Sequence, residues 1–505
     1  MAKHDPETEN NIEELIRAAE AGDADAQCDL AWSYDEGEGV EVDHEKAFYW
    51  YTQAAEQNHA TAQYNLGCCY EVGTGVKIDM AKAVYWYEKA AAQNVAEALN
   101  TLGIFYEDGK GVPVDFGKAV DFYRRAAELG NDSAMVNLGC CYDDGTGVET
   151  DRKMAAGLYR KAALKGYRIG QYNLGLCYDH GTGVRKNMAL AVKWYRKAAE
   201  QGYAEAQCNL GVCYENGTGV EQDSVQAVKW YKLAAAQDDA IALCNLGEAY
   251  YYGDGVKKCY KKAVEYYTKA AELGNSKAFY QLGICYEDGL GVKKNPVKAF
   301  ECFQKAAEDD YPEAVYYLGS CYYNGRGVEK DLAQAYYWHK KAAVAGDLWA
   351  MNQLAVVDYG VEIPDAERIM WLKKAADLND DMALYNLALR YLNGYDGIEP
   401  DEKLAVKLFR KSAKQDHPSA YYALYKCYTN GRGVRKNRQL ALKYLHKAAE
   451  LGYSKSPENF EAVLFLIQLG LIQKILCLFS CNRQLRTLTD ANGCQYLSVQ
   501  VRKIL

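Results

Sequence analysis

The string G-x-G-V begins at Gly37, Gly73, Gly109, Gly145, Gly181, Gly217, Gly253, Gly289 and Gly325, each 36 residues after the last, and begins again at Gly431. A strict period of this length constrains the fold more than any other feature, because it demands one supersecondary block, copied and stacked. A glycine turn ahead of a helix can cradle a phosphate on free N–H groups. A nucleotide site needs one such loop, so ten copies read as punctuation. The three or four globular domains ordinarily expected of 505 residues give way to one array.

Anchored on its leucine, the repeat recurs at Leu30, Leu66, Leu102, Leu138, Leu174, Leu210, Leu246, Leu282, Leu318, Leu354, Leu387 and Leu424, which makes twelve copies. Ala62, Leu66, Cys69 and Tyr70 fall at i, i+4, i+7 and i+8, and Ala83, Tyr87, Ala90 and Ala91 repeat that spacing. Each copy therefore predicts two amphipathic helices. The first glycine of G-x-G-V sits where a helix must turn left-handed to stop. Asp43, Asp79, Asp115, Asp151, Asp223, Asp331 and Asp401, or Asn187, Asn295 and Asn437, stand where the second helix needs an N-cap; Cys259 breaks that pattern. A lone hairpin of this kind exposes too much apolar surface, and stacking buries it. The expected fold is all-α, about twelve antiparallel helix pairs in a solenoid. A stripe of rings, Tyr70, Tyr106, Tyr142, Tyr178, Tyr214, Tyr250 and Tyr286 with Trp50, Trp86, Trp194, Trp230 and Trp338, is expected in the core. On that expectation Tyr214→Ala costs about 3–5 kcal/mol.

Net charge is -9 and the repeats carry no basic stripe, which argues against nucleic acid. The start, "MAKHDPETENN", lacks the apolar run of a signal peptide, so a cytoplasmic location is expected. Seventeen cysteines do not oppose this, because Cys69, Cys141, Cys177, Cys213, Cys285, Cys321 and Cys427 all lie three residues after a repeat leucine. Thiols there act as small apolar fillers. No zinc spacing emerges.

The consensus A-x-A-Q-x-N-L-G-x-C-Y-x-x-G-x-G-V-x-x-D-x-x-K-A-V-x-W-Y-x-K-A-A resembles the Sel-one-like repeat (SLR), a relative of the tetratricopeptide repeat, over roughly Ala24 to Gly452. The resemblance implies a right-handed superhelix of helix pairs and an adaptor role in assembling protein complexes. It also brings a second reading, a secreted or membrane-associated bacterial-type factor: an effector or a β-lactam-hydrolase-like protein. The cysteine-rich branch implied by that hydrolase reading has cysteines where this chain has Ala90, Ala91, Ala198 and Ala199, so no disulfide ladder is expected.

Three regions depart from the repeat. Residues 1–22 are expected to hold a helix, Asn10 to Gly22, that caps the array, which fills 23–453. The tenth copy is three residues short and keeps only Gly360 and Val361 of its loop, while the eleventh spaces Gly394 and Gly397 by two, so 354–398 is a joint or simple drift. The tail, 454–505, contains an apolar stretch from Ala462 to Cys481 with one charge, Lys474. That length could span a bilayer, but Lys474 near its middle opposes insertion. The preferred expectation is a helix covering the last repeat, with membrane attachment through 462–481 as the alternative.

No catalytic motif set is visible, so no catalytic residue, cofactor or metal is assigned. His4, His44, His59, His180, His339, His417 and His446 occupy non-equivalent repeat positions. What remains is a surface that binds protein or peptide partners, with first helices lining the concave side. The residues preceding the repeat leucine, Asn65, Asn137, Asn173, Asn209, Asn245 and Asn386, are its candidate contacts. A ladder of amides is able to grip an extended peptide by its backbone. It equally well bonds the backbone of the neighbouring repeat.

Overall fold

A computed structural model describes residues 6–395 and 397–452. Among the described residues there are twenty-five helices and no strand: a leading helix, Pro6–Glu20, then twelve pairs from Ala24–Glu36 and His44–Glu56 to Pro418–Asn430 and Arg438–Glu450. The chain is an all-α solenoid of repeated helix pairs. Its described residues divide into two compact units, one running to 278 with 290–292, the other 279–289 with those from 293 on.

In unit 1 the second repeat shows how each pair is made. Its first helix, Ala60–Val72, ends at Gly73 with φ 87°, and the Gly73 N–H donates to the Cys69 carbonyl. Its second helix, Met80–Ala92, starts at Asp79, whose side chain accepts from the Lys82 N–H. The same aspartate or asparagine cap recurs through unit 1, and Cys259 supplies no cap bond. The second loop glycine has its own reason, which periodicity alone does not disclose. A Cβ on Gly75 would lie 2.0 Å from the His44 carbonyl oxygen, and one on Gly183 would lie 1.9 Å from that of Arg152. Each loop thus rests its backbone on the start of the preceding repeat's second helix.

The core of unit 1 is a pairing of glycine with tyrosine. Gly67, Gly103, Gly139, Gly175, Gly211 and Gly247 face the rings of Tyr87, Tyr123, Tyr159, Tyr195, Tyr231 and Tyr267, and a Cβ on any of these glycines would fall 2.4–2.6 Å from ring carbon. These tyrosines, with Tyr51 and Phe105, are the deeply buried rings of unit 1. This corrects the expected stripe. Tyr106 and Tyr250 are buried, but Tyr70, Tyr142, Tyr178, Tyr214 and Trp50, Trp86, Trp194 and Trp230 are half-buried. They flank the seam between helices, and the Tyr214 hydroxyl reaches out to accept from Arg196 at 2.8 Å. The cysteines after the leucine are buried fillers, and burial pushes the Cys177 thiol up to about 11.

Buried glutamines stitch neighbouring repeats together. Gln27, Gln63 and Gln207 each donate to a carbonyl at the end of the preceding helix, that of Ala19, Ala55 and Ala199. Each also accepts from the glutamine that follows the second helix of its own repeat, Gln57, Gln93 and Gln237, at 2.8–2.9 Å. The leading helix joins this scheme, with Ala19 packed against Ala26 and Leu30.

Unit 2 keeps the plan and changes the parts. Gly283 faces Phe303, and Gly319 faces His339. The tenth repeat's first helix, Leu348–Val356, is nine residues long and ends at Val357 in an extended conformation, without a left-handed glycine. Its orphan carbonyls are taken by arginines: Arg368 donates to Val357 O at 2.9 Å and Arg390 to Ala355 O at 2.9 Å. Tyr359 and Ile363 of the shortened loop are buried in the core, and the Tyr359 hydroxyl lies 2.6 Å from His339 Nδ1. The irregular stretch is therefore packed and bonded within unit 2. Residues 454–505, including the 462–481 segment, lie outside the described residues. Within the described residues no helix is long and apolar enough to cross a membrane.

Candidate functional site

Asn65, Asn137, Asn173, Asn209 and Asn245 stand half-buried on the first helices of unit 1; Asn386 is half-buried on a first helix of unit 2. The bonds seen are to side chains, not to neighbouring backbone. Asn137 Nδ2 donates to Asn100 Oδ1 of the preceding repeat at 3.0 Å, Asn209 Nδ2 to the Tyr172 hydroxyl at 3.4 Å, and Asn65 hydrogen-bonds the Tyr51 hydroxyl. Two consecutive clefts open beside them. One of about 220 Å³ is lined by Cys140, Asp143, Asp144, Tyr159, Asn173, Leu176, Cys177, His180 and Thr182. The next, about 400 Å³, is lined by Leu176, Asp179, His180, Lys186, Met188, Asn209, Val212, Cys213 and Thr218. The asparagine of one repeat thus shares a cleft with the carboxylate of the repeat before it.

That carboxylate row is the part sequence reasoning missed. The residue after the repeat tyrosine is Asp35, Glu71, Glu107, Asp143, Asp179 and Glu215 in six successive repeats, and Tyr251 in the seventh. Four of them accept from the core tyrosine sixteen residues on: Glu71 from Tyr87 at 2.5 Å, Glu107 from Tyr123 at 2.5 Å, Asp179 from Tyr195 at 3.1 Å and Glu215 from Tyr231 at 2.7 Å. Burial first, and then the adjoining carboxylate, raises Tyr123, Tyr195 and Tyr231 far above the usual tyrosine range. The hydroxyls stay protonated and stay donors. The signal was legible as an acid in a fixed column sixteen residues before a core tyrosine.

Charge is divided between the two helices of a pair. The first helix Asp132–Asp144 carries Asp132, Asp143 and Asp144 and no base, whereas its partner, Arg152–Leu164, carries exposed Arg152, Lys153, Arg160 and Lys161 and no acid. Among the described residues no group of three or more His, Cys, Asp and Glu side chains is gathered as metal ligands would be.

A family model described as Sel1 repeat matches twelve segments: 24–59, 60–95, 96–131, 132–167, 169–203, 204–239, 240–275, 276–311, 312–347, 350–380, 381–417 and 418–453. The chain belongs to the Sel1 repeat family. Among solved structures, this Sel1 repeat protein is similar to c5321, a protective antigen present in uropathogenic Escherichia coli strains displaying an SLR fold. The two are 31% identical, with a TM-score of 0.66, over 88% of this chain and 99% of that one. A Sel1 repeat protein from Oxalobacter formigenes is also 31% identical, over 61% of this chain and 89% of its own, with a TM-score of 0.47. Among curated proteins, NMB1327 of Neisseria meningitidis serogroup B is 36% identical over 89 residues, 17% of this chain; the match spans only 18% of that relative's length. Sel1 repeat proteins generally mediate protein–protein interaction, and their solenoid is typically non-catalytic.

Proposed function

We propose that this Sel1 repeat protein is a non-catalytic scaffold that holds an extended segment of a partner protein along the first-helix face of unit 1. The observation that carries the reading is the shared cleft, in which Asn173 meets Asp143 and Asn209 meets Asp179. An amide carries two donors and an acceptor, more than the bonds made by Asn137 and Asn209 use, so a row of them serves a peptide backbone whatever its side chains. The test replaces Asn137, Asn173 and Asn209 together by alanine and compares partner recovery by affinity capture with thermal melting. Recovery falling at unchanged melting supports the scaffold; melting that falls with recovery makes the row structural. The reading takes the chain to work in the cytosol, and fractionation with and without residues 462–505 checks that.

A further inference from the structure

We infer that the segment held on the first-helix face of unit 1 is cationic and extended, its Lys or Arg side chains meeting Glu71 and Glu107 in the second and third repeats and Asp179 and Glu215 in the fifth and sixth. The inference rests on the scaffold reading and adds the chemistry of the partner. These four carboxylates are oriented by neutral hydroxyls, those of Tyr87, Tyr123, Tyr195 and Tyr231, so their position is set without cancelling their charge. Among the described residues none of the four forms an ion pair, although Lys110 acts on Glu71 and Lys277 on Glu215 at longer range. Between them, Asp143 is ion-paired with the exposed Arg152 at 3.7 Å, although its buried Oδ1 accepts no hydrogen bond. A carboxylate oxygen shut away from water without a donor costs free energy that an incoming cation would recover.

The same positions in unit 2 make the contrast. There Glu287 is paired with Arg326 of the following repeat, and the column continues as Tyr323. The single acid of this column in unit 2 is thus paired, whereas Glu71, Glu107, Asp179 and Glu215 of unit 1 form no ion pair. The bases of unit 1 concentrate on second helices, as in Arg152–Leu164, so its acidity belongs to one face and not to the whole surface.

Spacing narrows the partner further. Packed helices lie about 8–10 Å apart, and side chains of successive first helices touch directly, as Asn137 does Asn100. A polyproline II segment advances about 9 Å per three-residue turn. A Lys or Arg at every third residue therefore meets one carboxylate per repeat, while the asparagines face the backbone between them.

The experiment measures binding of fluorescent twelve-residue peptides to the full chain by anisotropy. Four probes have lysine at every third position, the same lysines clustered at one end, glutamine in their place, or glutamate in their place. The third-position lysine probe is expected to bind about tenfold or more tightly than the glutamine probe, from several charge pairs acting together, and to weaken as salt rises. Glu107→Gln, Asp179→Asn and Glu215→Gln combined should erase that margin, with Glu107→Asp and Glu215→Asp retaining most of it. Equal binding of the lysine and glutamine probes overturns the inference and leaves the scaffold reading to its asparagine test. Equal binding of spaced and clustered lysines overturns the extended register. Failure of every probe, with self-association that the carboxylate variant abolishes, assigns the face to a second copy and overturns the inference. If the triple variant does not fold, the salt dependence and the aspartate variants decide.

Discussion

Units 1 and 2 solve the same packing problem with different side chains, and the difference shows which features of the repeat are obligatory. In unit 1 a helical glycine receives a tyrosine ring, six times over. In unit 2 the ring becomes Phe303 and then His339, and in the last repeat the sizes are exchanged, with buried Tyr425 in the glycine column and buried Leu445 in the tyrosine column. What persists is the filled volume, since an interior tolerates changed parts when their sum is kept. The polar consequence does not persist. A phenylalanine, histidine or leucine has no hydroxyl to orient an acid, and the acid that unit 2 keeps in this column, Glu287, pairs instead with Arg326. Unit 1 repeats the acid six times and leaves four of the six without an ion pair, whereas unit 2 keeps it at Glu287 and pairs it.

The largest effect expected from breaking this comparison is in the glycine–tyrosine pair. Tyr231→Ala should cost about 3–5 kcal/mol, whereas Tyr214→Ala, at a half-buried ring, should cost about 1 kcal/mol. Chemical denaturation of the two variants measures the gap, and equal costs would return the half-buried stripe to the core.

Next comes His339, which burial holds at about 4, well under the usual histidine range. It is 2% exposed, between Tyr359 and Ser320. Its folded pKa is depressed, so the unfolded chain binds more protons between about pH 4 and 6.5. Stability from this site is complete above about pH 6.5 and falls as the pH drops toward 4, by up to about 3 kcal/mol. The loss should centre on unit 2 in hydrogen exchange measured across that range. His339→Phe should flatten it, and a profile unchanged by that substitution would locate the titration elsewhere.

The smallest effect separates two kinds of glycine in unit 1. Gly183→Ala meets both a left-handed backbone and the Arg152 carbonyl, and should cost about 2–3 kcal/mol; Gly202→Ala has the same backbone, open space around it, and should cost about 1 kcal/mol. Thermal melts of the two variants supply the comparison.

These particulars mark what was legible in the chain. The first loop glycine, the aspartate caps and the buried cysteines each follow from a local rule, so periodicity sufficed for them. The second loop glycine answers to a carbonyl in the previous repeat, and the acid after the repeat tyrosine answers to a hydroxyl sixteen residues away; neither constraint lies within one helix. The ring stripe was misplaced because two adjacent aromatic columns, W and Y of the second helix, share a seam, and only packing decides which enters it. The asparagines were identified as a row, but their side-chain partners one repeat back required the stack itself. The short tenth repeat read as a joint or as drift because its loop departs from the period, whereas the stack shows Tyr359 of that loop turned into the core and Arg368 bonding the helix end.

The most direct test of the account places a photoreactive benzophenone side chain at position 173 or 209, between the helices that rim the clefts, and at position 161 on the opposite, basic helix. The account predicts that bound partner is crosslinked from 173 and 209 and not from 161. Crosslinking from 161 with none from 173 or 209 would contradict it.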